Sequence, residues 1–396
     1  MKHMLSNDKL NILTVVWVLF CLKIAAPYGL SFSEIFYYLM LLFICILEFV
    51  KLYKGGIKSK TEYKILCCFI FLMMIQVIGT IQLFTLFSIR NIIAIFCILC
   101  FFDVLAFCDY EIEIVPIRIA TYITFFFLGV RYALHEDFGN IVPGFIVFSL
   151  CAYALFEISY SLKLSSNELN KKRIYKIALW VVPIYAVAVA ICYLSHARTS
   201  LLTLLIITFL YIFIICINPS KKKMRIFFFV LIAGVIGLII VYTYIRSFSW
   251  YDNVNVYSVK MFGKNLDSSR PNLWRTSLES LNWWQIIIGE GPGKLPDVMR
   301  YRSASFHNSY IQLIMQSGVV GLLSLMFVFF YIWNCLIKHC DDLSIKLVLS
   351  VFVGVIVYNC FEVTLLQNKA FLGLLQWLIL AYGVKRSMSL DFRKEV

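Results

Sequence analysis

Apolar residues run through this chain in blocks of about 20, the length of helix that crosses a bilayer. Twelve blocks are readable, at 10–30, 33–52, 64–83, 87–107, 114–133, 141–162, 174–194, 200–217, 226–245, 309–333, 343–364 and 369–384. Arg90, Asp103, Pro116 and Arg118 interrupt the fourth and fifth. One long polar interval, Arg246 to Asn308, separates the ninth from the tenth. The predicted fold class is all-α: a polytopic integral membrane protein of about 12 transmembrane helices. Residues 1–396 form one transmembrane domain, with 246–308 as its large loop.

The polar residues between blocks set the orientation. Lys51, Lys54, Lys58, Lys60 and Lys64 join the second and third blocks, and Lys163, Lys171, Lys172, Arg173 and Lys176 surround the next such junction. Lys221, Lys222, Lys223 and Arg225 follow the Asn218-Pro219-Ser220 turn, and Lys385, Arg386, Arg393 and Lys394 close the chain. All fall on the side shared by the two termini, while the opposite short loops carry only Arg90, Arg131, Arg198 and Lys369. Basic loops stay inside, so both termini are expected in the cytoplasm. The 246–308 loop and the short loop Ser195–Thr199 are then expected outside, in the periplasm of a Gram-negative cell.

Composition supports a membrane class. The chain is 61% hydrophobic and 15% charged, against roughly 45–50% and 25% for soluble domains. The net charge of +14 is spread over short loops, so nucleic acid is not an expected partner. The 13 cysteines all avoid the long loop. Cys67-Cys68 and Cys97-x-x-Cys100 lie inside apolar blocks, where small buried hydrophobes are the expected role. No internal repeat of the transporter kind is visible.

The long loop holds eight Lys or Arg, five Asp or Glu, and a Trp-rich segment from Leu273 to Trp284. Ser268-Ser269-Arg270-Pro271 reads as a helix start, with Trp274, Leu278 and Leu281 on one face. These predict a short amphipathic helix on the outer membrane surface, with Trp283 and Trp284 as interfacial anchors. Gly289-Glu-Gly-Pro-Gly293 ends it in a turn.

Candidate chemistry gathers at the outer ends of helices. His307 stands where the loop meets a membrane helix, a position that suits a general base. Asn308 is placed to cap that helix, and Gly318 and Gly321 read as close-packing positions. Arg198 sits in a loop so short that its guanidinium must stay close to the bundle, where it can hold a lipid diphosphate from two sides. Arg275 is four residues before Glu279, the spacing of a surface ion pair. Arg270 lacks such a neighbour and is the better ligand, while Arg246, Arg300 and Arg302 read as headgroup contacts or solvated charges. The loop acids Asp252, Asp267, Glu279, Glu290 and Asp297 form no paired cluster, so neither a metal nor another cofactor is expected. Lys23, Asp103, Glu157 and Glu362 lie within apolar blocks and should face the bundle interior.

The order of these pieces resembles the O-antigen polymerase and O-antigen ligase superfamily of bacterial membrane glycosyltransferases. It is carried by His307-Asn308, nine residues, then Gly318-Val-Val-Gly321; by Ala197-Arg198-Thr199-Ser200-Leu201-Leu202; and by Gly289-Glu-Gly-Pro-Gly293. The first 190 residues match only in hydropathy. The resemblance implies a GT-C-like, metal-independent enzyme of the inner membrane whose donor is an oligosaccharide on undecaprenyl diphosphate. It implies His307 as the base that deprotonates the acceptor hydroxyl, with Arg198, Arg270 and Arg275 as the arginines that bind the diphosphate. Membrane lipids, a chain-length regulator and a flippase of the same pathway are the partners it implies. The expected function is polymerase, joining lipid-linked repeat units. Arg275 and Gly291, with fifteen residues between them, fit a polymerase loop spacing. The alternatives are a ligase that transfers the glycan to lipid A-core and, in another class, a lipid-linked sugar flippase.

Overall fold

The computed structural model describes residues 11–25, 31–57, 59–134, 141–163, 171–263, 265–267, 270–296, 305–367 and 370–395. The Ser268-Ser269 helix start, Arg300, Arg302, Asp297 and Lys369 lie outside the described residues.

The described chain is helical throughout. Its first nine helices are α1 (Ile12–Ala25), α2 (Ser31–Gly55), α3 (Lys60–Gly79), α4 (Leu86–Phe107), α5 (Ile114–Ala133), α6 (Ile141–Lys163), α7 (Lys171–Leu194), α8 (Arg198–Ile217) and α9 (Lys221–Thr243). The loop region then forms α10 (Tyr251–Phe262), α11 (Arg270–Glu279) and α12 (Trp283–Ile288). The chain ends with α13 (Ser309–Leu336), α14 (Leu343–Tyr358) and α15 (Ala370–Glu395). Among the described residues nine helices are long and apolar enough to cross a membrane, and α1 and α14 are shorter apolar helices. The twelfth expected span falls in α15, whose apolar run stops at Lys385. The polytopic all-helical class therefore stands, and among the described residues nine of the expected twelve spans meet the length and hydropathy of a membrane helix.

Local chemistry explains where helices begin. Ser59 and Glu62 form a capping box on α3, Ser220 caps the Lys-rich start of α9, and Asp342 caps α14. The interrupted blocks both become helices, and Asp103 and Arg118 within them are charge-paired. Pro116 lies in the first turn of α5, where its missing N–H does no harm. Arg118 grips Glu157 with two bonds of 2.6 and 2.8 Å and lies over the Trp180 ring. Asp103 pairs with Lys51, which also reaches Glu62 at 2.6 Å. Buried charges persist in such surroundings only when paired.

The bundle is built from the C-terminal helices outward. Nearly every residue of α14 is buried, as is most of α15 down to Val384, and α6 is 89% buried along its span. By contrast α9 is only 17% buried and lies at the rim. Helix α8 packs along α14, with Gly354 facing Ile207 and Thr203. A small residue there lets the two backbones approach, which fixes the start of α8 beside the end of α14.

The loop departs from expectation in two ways. The helix at 270–279 forms, but its apolar face turns inward: Leu273, Trp274 and Leu281 are buried against Phe306, Ile311 and Met315. It is a lid element of the bundle and does not lie with that face on lipid. The reason is the extra core offered by the first two turns of α13, which a reading of 270–284 alone does not contain. The expected single helix is also two, because Asn282 starts α12 with its own capping box to Gln285. The exposed aromatic surface lies there instead, with Trp283 and Trp284 stacked at 4.3 Å. Helix α10 had no counterpart among the sequence expectations; it ends at Gly263 in a left-handed conformation.

Candidate active site

Three chain segments meet at one end of the bundle. The first is the turn between α7 and α8. His196 there has φ of 51°, and the following N–H groups fold back onto Cys192 and His196 carbonyls, so α8 starts abruptly at Arg198. Arg198 donates from Nη1 to the Ser258 hydroxyl at 3.0 Å and to the Asn265 carbonyl at 3.1 Å. The α10 region thereby holds the guanidinium over the bundle end.

The second segment is the start of α13. Asn308 is fully buried and caps the helix, accepting from the N–H groups of Tyr310 and Ile311 at 2.9 Å each. Its amide also donates to the Cys360 carbonyl at 2.8 Å. Phe306 is equally buried, and its carbonyl accepts the Trp274 indole N–H at 2.6 Å. His307 lies between these two anchors, half-buried, with a φ of 53° and its N–H on the Ser305 hydroxyl. A left-handed histidine costs of order 1–3 kcal/mol and persists only where its surroundings enforce it. The two anchors supply that enforcement.

The third segment is the turn after α14. Asn359 is its hub: Oδ1 accepts from Ser309 Oγ at 2.8 Å, Thr364 Oγ1 at 3.1 Å and the Leu365 N–H at 3.2 Å. Ser309 also donates to the Glu362 carbonyl at 3.0 Å. Arg270, at the start of α11, donates to the Phe361 carbonyl at 2.8 Å and has Nη2 3.5 Å from the Glu362 carboxylate. The residues after His307 and the guanidinium of Arg270 are thus fastened to the same turn.

A cavity of about 340 Å³ opens between these segments, lined among others by Arg198, Thr199, Tyr242, Arg270, Phe361 and Glu362. Its size lies in the usual range for ligand sites. Two arginines and one carboxylate are in its lining, a balance that suits an anion with several oxygens. His307 is not among the lining residues; the two residues that follow it, Asn308 and Ser309, bond to the 360–362 turn, part of which lines the cavity.

The predicted site residues therefore separate. Arg198 and Arg270 line one cavity, although 71 residues lie between them in sequence. Arg275 does not line it: its Nε donates to Glu279 at 2.9 Å and its guanidinium lies over Tyr244. Arg246 pairs with the fully buried Asp267, whose carboxylate holds the guanidinium pKa above its ordinary value. That pair anchors the loop and leaves Arg246 outside the cavity lining. Among the described residues no group of three or more His, Cys, Asp or Glu is arranged to hold a metal. The sequence reading missed Tyr242, whose hydroxyl donates to the Asp267 carbonyl at 2.9 Å; nothing distinguishes it from other membrane-end tyrosines. Glu362 carried a signal, as a carboxylate inside an apolar block, but its place in the cavity was not legible.

Gly318 and Gly321 both have close neighbours, as expected of packing glycines, and Gly318 has a second role. Gly318 is a break inside α13, with φ of 63° and ψ of −168°. The carbonyls of Met315 and Gln316, freed by the break, accept the N–H groups of Glu290 at 2.7 Å and Gly291 at 3.1 Å. The Gly289–Gly293 segment thus docks into the broken helix, and a side chain at Gly289 or Gly318 would strike the facing backbone. The Gly–Pro–Gly turn and the glycine after the histidine form one joint.

Comparison with known families gives a match over part of the chain. Residues 183–326 match the O-antigen ligase family model, a stretch that contains Arg198, α8 to α12, His307 and Gly318. No curated protein matches the chain.

Proposed function

We propose that this chain, which carries an O-antigen ligase family domain over residues 183–326, is a polymerase that joins oligosaccharide repeat units carried on undecaprenyl diphosphate. Both termini lie in the cytoplasm, all twelve apolar helices form the membrane domain, and the cavity end faces the periplasm. The observation that supports this most is the convergence of Arg198 and Arg270 on one cavity beside the His307 junction.

The chemistry follows from that arrangement. The donor diphosphate lies between the two guanidinium groups, which offer paired N–H donors to its oxygens. The imidazole of His307 takes the proton of an acceptor hydroxyl. The acceptor oxygen then bonds to the anomeric carbon of the donor as the bond from that carbon to the diphosphate breaks. Negative charge grows on the departing diphosphate, where fixed positive groups stabilise it most.

A ligase reading is favoured by the description of the matching family. The two differ in acceptor: a second lipid-linked repeat unit for a polymerase, lipid A-core for a ligase. The glycan ladder of a deletion strain separates them. Loss of polymer with one unit still attached to core supports the polymerase; loss of every attached unit overturns it in favour of the ligase.

A further inference from the structure

Glu362 is out of place in an anion site. Its carboxylate is buried and lines the same cavity as Arg198 and Arg270. A negative charge beside a diphosphate opposes binding, so its presence there calls for a compensating role. Its position is built rather than incidental. Asn359 locks the turn through Ser309, Thr364 and Leu365, and its own amide donates to Gln376 at 3.1 Å. Ser309, two residues after His307, holds the Glu362 carbonyl.

The contact with Arg270 is incomplete. One arm of the guanidinium donates to the Phe361 carbonyl at 2.8 Å, while the other stands 3.5 Å from the carboxylate. Fully formed charge-assisted bonds are closer to 2.7–2.9 Å. The pair therefore holds the arginine in direction while leaving that arm able to take a stronger acceptor. A diphosphate carries more charge and more acceptor oxygens than one carboxylate, so it displaces Glu362 on arrival. When transfer leaves the diphosphate as product, the carboxylate competes for Arg270 again.

From this geometry we infer that Glu362 is a positioning residue: it aims Arg270 in the empty cavity and weakens the hold on the departing diphosphate. This rests on the proposal that the cavity binds the donor diphosphate. The test uses the full-length protein in nanodiscs, with inorganic pyrophosphate as the probe and donor turnover measured in parallel. Glu362→Gln keeps the shape and removes the charge, and should bind pyrophosphate about tenfold more tightly, the scale of one like-charge contact. Its donor KM and kcat should both fall, because release slows. Glu362→Asp keeps the charge and should stay near the wild-type affinity. A gain in affinity cannot come from a damaged fold. Unchanged or weaker binding by Glu362→Gln, or equal tightening by Glu362→Asp, overturns the inference. If wild type binds pyrophosphate in an Arg198-dependent way while Glu362→Gln is unaltered, the inference fails and the cavity assignment survives. If wild type binds no pyrophosphate, both fail.

Discussion

Trp274 donates its indole N–H to the carbonyl of Phe306 at 2.6 Å, one residue before His307. Trp274 is wholly buried and packs on Tyr242 with ring centroids 5.0 Å apart. A loop helix thus fixes the backbone on which the candidate base stands. The same helix begins with Arg270, so one element orients groups for both halves of the proposed reaction.

Trp274→Phe should keep an aromatic ring in the site, at the cost of a small cavity, and lose the bond. A buried carbonyl left without its donor costs about 1–3 kcal/mol. Transfer should fall by roughly tenfold, since small misplacements of reacting groups are expensive. Thermal stability and transfer rate of the variant check this together. Full activity with the bond removed would show that Phe306 does not set the position of His307.

Gly318→Ala should be far more damaging than Gly237→Ala. Gly318 combines a positive φ with facing backbone from Ile287, whereas a Cβ at Gly237 on α9 meets nothing within 4 Å. The first substitution should cost roughly 2–3 kcal/mol or more, the second close to nothing. Unfolding midpoints in detergent measure the contrast. Equal effects would mean that the break in α13 is not required.

The membrane helices were legible in the sequence because spans announce themselves by length and hydropathy. The joint between Gly289–Gly293 and Gly318 was not, because a glycine that breaks a helix and one that packs it look alike in a sequence. The inward face of α11 was hidden for a related reason. Period alone says that Trp274, Leu278 and Leu281 share a side, and only the tertiary partner Phe306 says which way that side turns. His307 and Arg198 were readable from position and resemblance, while the Arg270–Glu362 contact spans 92 residues and two elements that no local pattern connects.

The arginines should divide. Arg270→Ala removes a cavity wall and should reduce both donor binding and transfer. Arg275→Ala removes a solvent-exposed ion pair with Glu279, of a kind that contributes little to stability, and should leave transfer nearly intact. Side-by-side assays of the purified variants decide it. Loss with Arg275→Ala and none with Arg270→Ala would move the diphosphate out of this cavity.

Topology should follow the basic loops. With the exposed thiols Cys67 and Cys216 replaced, a cysteine at Lys260 should react with an impermeant reagent added outside intact cells. One at Lys222 should not, because the basic run that follows Ser220 stays inside. Both positions are exposed in the fold. The opposite pattern would put the cavity on the cytoplasmic side and end the proposal of periplasmic transfer.

The most direct measurement is transfer from synthetic undecaprenyl-diphosphate repeat units, with donor binding followed separately and across pH. His307→Ala should cut turnover by roughly 10²–10⁴-fold, the scale of general-base loss, with donor binding little changed. Wild-type turnover should rise with pH, because the imidazole accepts a proton only in its neutral form, and the variant should lose that dependence. Arg198→Ala should lose both binding and turnover, and Arg198→Lys should recover only part, since an ammonium lacks the planar fork. Near-normal turnover of a folded His307→Ala protein at every pH would contradict the account, because the base would then lie elsewhere.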